Sequence, residues 1–188
     1  MIKPITTEPF LEELILSEMS RANTDRVAGV LLNDKNRFAQ AIQIVMQDRE
    51  PVSRRALWAI DIACEKKPGL ITPYMPKLLE KIHQFSHHAF RRHILRMAAR
   101  LPLNENTKGD LLNICFDMVS DLNQPIAVKA NAIQILTRIA IDEPDILHEL
   151  NETINWQIDQ ASPGFKSQAK KVKHILNHHE TRQLKSKR

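Results

Sequence analysis

Gln124-Pro125-Ile126-Ala127-Val128-Lys129-Ala130-Asn131-Ala132-Ile133-Gln134-Ile135-Leu136 is the stretch on which the fold turns. Proline suits the first turn of a helix, where its fixed φ is already helical and its missing N–H leaves no bond unmade. Beyond it, Val128, Ala132, Ile135 and Leu136 stand at i, i+4, i+7 and i+8, one face of a helix. The same stripe recurs as Val52, Ala56, Ala59 and Ile60, as Phe90, Ile94, Met97 and Ala98, and as Phe165, Ala169 and Val172 with Lys173 in the last slot. The four stripes start 38, 38 and 37 residues apart. Pro51 and Pro163 open their helices as Pro125 does, and Ser86-His87-His88 stands where a further proline is expected. A fixed period of this length belongs to stacked helical units, each burying its apolar face against its neighbours.

Amphipathic segments fill the intervals at 71–85, 111–122 and 146–158. Phe10, Leu11, Leu14 and Ile15 begin the chain with an acidic helix, and two further apolar faces follow before Pro51. No segment alternates with a period of two, and only 4 of 188 residues are glycine. Many-stranded sandwiches and phosphate-cradling loops are therefore excluded. The expected organisation is one all-α domain over 1–179, with a helical cap at 1–33, repeats at 34–179 and a basic tail at 180–188. The last unit reads as one helix without a partner.

Proline or Asp in a turn, followed by Val-(Arg/Lys)-x-x-Ala-x-x-(Ala/Ile)-Leu, resembles the second helix of a HEAT repeat. Residues 124–136 match best and 51–60 next. The resemblance implies a right-handed α-α superhelix, a solenoid of helical hairpins used mainly to bind other macromolecules. It also implies that the second helices line the concave face.

Charge divides by helix. The net +5 is the remainder of +12 on the repeat-opening helices 51–67, 87–102, 124–141 and 163–179 and −8 on the helices between them, with the ends of the chain contributing the rest. On the face implied by the resemblance, Arg54, Arg55, Arg91, Arg92, Arg96, Lys129, Lys166, Lys170 and Lys173 are the candidate contacts to an anionic surface. Solvated lysines and arginines are also ordinary on helices. A protein partner is the leading expectation and a nucleic acid the alternative.

That alternative rests on Trp58 and Asp61, one turn beyond Arg54 and Arg55. DNA alkylation repair proteins built of HEAT-like repeats carry Trp and Asp on a basic face, a pair able to hold a displaced base and stabilise a developing cation. The arrangement occurs once here, so the resemblance is architectural, and packing roles are expected for Trp58 and Trp156. His83, His87, His88 and His93 crowd one turn, and His174 with His178 forms an i, i+4 pair, but no carboxylate or cysteine completes a metal site at matching spacing. These histidines are expected at the surface. No serine-hydrolase elbow, phosphate loop, dinucleotide fingerprint or zinc-protease motif is present, so no catalytic residues and no cofactor or small-molecule substrate are assigned. Cys64 and Cys115 lie in apolar stretches and read as buried thiols. No run is long enough to span a membrane, and a cytoplasmic location is expected.

Overall fold

The computed structural model describes residues 9–103, 105–141 and 143–186. Every regular element among them is helical: α1 (Pro9–Leu16), α2 (Arg21–Asn33), α3 (Lys35–Met46), α4 (Val52–Lys66), a 3-10 segment Pro68–Tyr74, α5 (Met75–Glu80), α6 (His88–Ala98), α7 (Glu105–Ser120), α8 (Ile126–Ile139), α9 (Pro144–Trp156) and α10 (Pro163–Ser186). They gather into two compact units, 1–101 and 102–188. In the first, α2, α4 and α6 are successive neighbours, α3 packs on α4, and the 3-10 segment and α5 pack on α4 and α6. In the second, α7 pairs with α8 and α9 with α10, while α8 also touches α10.

Three of the predicted stripes are wholly core, and the fourth is so in part, Ala169 being half-buried. Val52, Ala56, Ala59, Ile60, Phe90, Ile94, Met97, Ala98, Val128, Ala132, Ile135, Leu136, Phe165 and Val172 are all buried. Lys173, in the last slot of the fourth stripe, is exposed. Burying one aliphatic side chain contributes roughly 1.5–3 kcal/mol, so these rows supply much of the packing free energy.

Capping explains the short connections. Asp34 alone separates α2 from α3, and its carboxylate accepts from the Asn36 and Arg37 amides at 2.8 and 3.2 Å. Ser20 caps α2 through the Asn23 amide. His87 caps α6 where proline opens other repeats, its Nδ1 accepting from the Ala89 amide at 3.0 Å. Ser53, fully buried, donates to the Ile44 carbonyl at 2.5 Å and accepts from the Arg49 amide at 2.8 Å, stapling α3 to α4. The repeat period appears directly in Asp48, which accepts from the amide and hydroxyl of Ser86, 38 positions on.

Two expectations change. The helix predicted over 71–85 is a 3-10 segment and one short helix, because Pro68, Pro73 and Pro76 deny amide donors where an α-helix needs them. The last helix is not unpartnered: α10 packs on α9 as α8 packs on α7. Positions 180–186, left open as helix or frayed tail, continue α10.

Candidate functional site

The basic residues singled out in the sequence have different fates. Lys129 on α8 is corrected: it is only 5% exposed, its ammonium donating to Gln157 Oε1 at 2.5 Å beneath the Phe165 ring. Arg96 has its guanidinium on Asp61, with Nε 2.7 Å from Oδ2, while its side chain stays 38% exposed. Arg91 donates to the His83 and Phe85 carbonyls at 3.1 and 3.3 Å, closing the turn before α6. Lys166, Lys170 and Lys173 are exposed along α10. Arg54, Arg55 and Arg92 instead converge, in the first unit, on the α4–α6 surface.

Asp61 is the centre of a buried polar cluster and is itself wholly buried. His93 donates from Nδ1 to Oδ2 at 2.5 Å, and Arg100 donates to Oδ1 at 2.7 Å. Glu65 lies 3.2 Å from Arg100 and 3.7 Å from Arg96. Burial alone would raise the Asp61 pKa, but the bonds from His93, Arg96 and Arg100 outweigh it and hold the carboxyl below its ordinary value. Burial pushes the His93 pKa down, against the pull of Asp61, so the ring is neutral. Neutral His93 thus donates to Asp61 through Nδ1 and accepts from Arg92 through Nε2 at 3.0 Å. Cys64, next to this cluster, has its thiol pushed up to about 12 by burial and by Asp61, which makes it inert.

This geometry removes the base-pocket role considered for Asp61: a carboxylate with no exposed surface and both oxygens occupied reaches no ligand. It also corrects the surface placement of His93, which is buried. An Asp–His pair serves nucleophilic catalysis when the second ring nitrogen faces a hydroxyl or thiol. Here that nitrogen faces Arg92, so the pair is a structural tie between α4 and α6. The sequence signal for it was the repeat itself, since Asp61 and Arg96 stand 35 positions apart, about one period.

Trp58, expected to pack between repeats, keeps part of its surface open. It is half-buried and borders a cleft of about 170 Å³ with Met19, Arg54, Arg55, Ala89, Arg92 and His93. Met19 is 69% exposed at the rim. Arg54 is bonded to Glu50 at 2.8 Å, and Arg55 reaches the Leu16 carbonyl at 3.4 Å while its Nε stays buried without a partner. Positive charge dominates locally: the His88 pKa is lowered by partial desolvation and then by His87, Arg92, Arg91 and Arg54. Trp156, also expected to pack, is 73% exposed. Among the described residues no three His, Cys, Asp or Glu side chains are grouped to hold a metal ion, and no helix is long and apolar enough to cross a membrane.

A family model of the HEAT repeat domain matches residues 11–176. The chain belongs to the HEAT repeat family. The match spans both compact units of this HEAT repeat domain, consistent with hairpins repeated along an α-solenoid. No curated protein and no solved structure matches the chain. As a HEAT repeat protein it is a helical-repeat scaffold or binding module.

Proposed function

We propose that this HEAT repeat domain is a non-catalytic binding module whose α4–α6 face takes an acidic, partly apolar segment of a protein partner. The observation that carries this reading is the cleft in which half-buried Trp58 and exposed Met19 lie among Arg54, Arg55 and Arg92. Trp and Arg are the side chains that most often dominate binding energy at interfaces, and a Met beside them adds adaptable apolar area. The positive surroundings of His88 favour carboxylates in the occupant.

A nucleic acid is the second reading, favoured by the same tryptophan beside arginines, since bases stack on aromatic faces. Burial of Asp61 takes away its catalytic version and leaves simple binding. Site-specific photocrosslinking from position 19 in intact cells separates the two. Protein adducts that vanish in Arg54→Glu/Arg55→Glu support the proposal; nuclease-sensitive adducts, or protein adducts indifferent to the charge reversal, contradict it.

A further inference from the structure

The second unit holds a larger cavity, about 400 Å³, at the start of α8 and α10. Leu122, Ile126 and Phe165 give it an apolar wall, while Gln124, Gln160 and Ser162 supply polar groups. Lys129 sits in its lining with 5% of its surface exposed. An ammonium has three N–H donors, and one of them is used on Gln157 Oε1. The amide of Gln157 is otherwise occupied, donating to the Val119 and Thr153 carbonyls at 2.9 and 3.3 Å. The Phe165 ring also faces the ammonium, its centroid 5.1 Å from Nζ. Among the described residues no carboxylate forms an ion pair with Lys129, although Asp121 acts on it from farther away.

A buried cation with two donors left and no paired carboxylate is costly unless something completes it. The backbone adds to the same sign. The first turns of α8 and α10 meet here so closely that a Cβ on Gly164 would lie 3.2 Å from Ile126 Cγ1. Both helix N-termini therefore border the cavity that Lys129 lines, and each carries partial positive charge. A small anion supplies the missing counter-charge, and the apolar wall selects one attached to a hydrocarbon group.

We propose that this cavity binds a carboxylate borne on a short apolar chain, its oxygens paired with Lys129 and its chain against Leu122, Ile126 and Phe165. The free C-terminus of a peptide and a free organic acid share that chemistry. The site is separate from the Trp58 cleft, so either proposal stands or falls without the other.

The test is a titration of the full chain with N-acetylleucine and, as the uncharged control, N-acetylleucinamide. Heat and the side-chain amide resonances of Gln157 report binding. The proposal expects the acid to bind at least about tenfold more tightly than the amide, and Lys129→Met to abolish that difference. Leu122 is 58% exposed, so Leu122→Trp obstructs the cavity without disturbing the core and provides a second variant should Lys129→Met misfold. It is expected to weaken the acid by a similar factor. A tetrapeptide ending in Leu, tested beside its C-terminal amide, tells the two sources apart, and a preference for either carboxylate supports the site. Equal binding of acid and amide, or acid binding undiminished in both variants, overturns it.

Discussion

Replacing Asp61 is the sharpest probe of how the repeats hold together. Its oxygens accept from His93, Arg96 and Arg100, and none of its surface meets solvent. In Asp61→Ala the His93 Nδ1–H is left buried without an acceptor, a loss of about 1–3 kcal/mol. Arg96 and Arg100 lose their main partner too, but their side chains are 38% and 26% exposed and keep Glu65 nearby. Their share, discounted for hydration, is about 0.5–1 kcal/mol each. The sum, about 2–5 kcal/mol, overlaps the usual cost of breaking a buried pair from one side. Asp61→Asn keeps the shape and one acceptor oxygen but loses the charge and turns an amide N–H₂ toward cations, for about 2–3 kcal/mol. Urea denaturation in a Trp156→Phe background measures both, with Trp58 fluorescence reporting on the unit that contains the cluster. A loss below about 1 kcal/mol for Asp61→Ala would refute the idea that this carboxylate ties α4 to α6.

Stability should fall on acidification in two stages. Below its ordinary value of 6.5, His93 is protonated in the unfolded chain while the folded ring resists, so stability drops as pH decreases from there. The lowered Asp61 adds a second loss below 3.8, and His93→Gln removes the first stage and weakens the second, since His93 helps hold Asp61 low, as urea midpoints against pH will show. Ser53→Ala leaves the Arg49 amide without its side-chain acceptor and is expected to lower stability by about 1–3 kcal/mol in the same assay. Both thiols should react with a disulfide reagent only at the rate of unfolding, since burial raises both pKa values and each side chain is about 1% exposed or less. Trp156→Ala is expected to change stability by less than about 0.5 kcal/mol, given its 73% exposure.

The repeat was legible because its signal is local: side chains at i, i+4, i+7 and i+8 share a face whatever surrounds them. Val128 to Leu136 and Val52 to Ile60 therefore pointed to buried stripes that the structure contains. What lies across the interface between neighbouring helices is not written in that periodicity. Arg96 and Lys129 read as surface cations on their charge alone, yet their partners lie across the helix interface: Asp61, 35 positions before Arg96, and Gln157, 28 after Lys129. His93 misled for the same reason, being one of four histidines near a turn and the one that meets an aspartate. Trp58 and Trp156 were treated alike on their apolar flanks, although one borders a basic cleft and the other points to solvent. Prolines shifted the 71–85 segment from a regular helix because three of them in nine residues remove donors faster than apolar spacing can compensate.

The central claim concerns the cleft around Trp58, and one titration tests it most directly. In the Trp156→Phe background, Trp58 fluorescence is followed while a decapeptide of alternating Glu and Leu, or duplex DNA of equal charge, is added at several salt concentrations. The binding-module account predicts a fluorescence change with the acidic peptide that weakens with salt and disappears in Arg54→Ala/Arg92→Ala, at concentrations where DNA gives none. Saturable binding of DNA in preference to the peptide, or a peptide response unaffected by removing the two arginines, would contradict it.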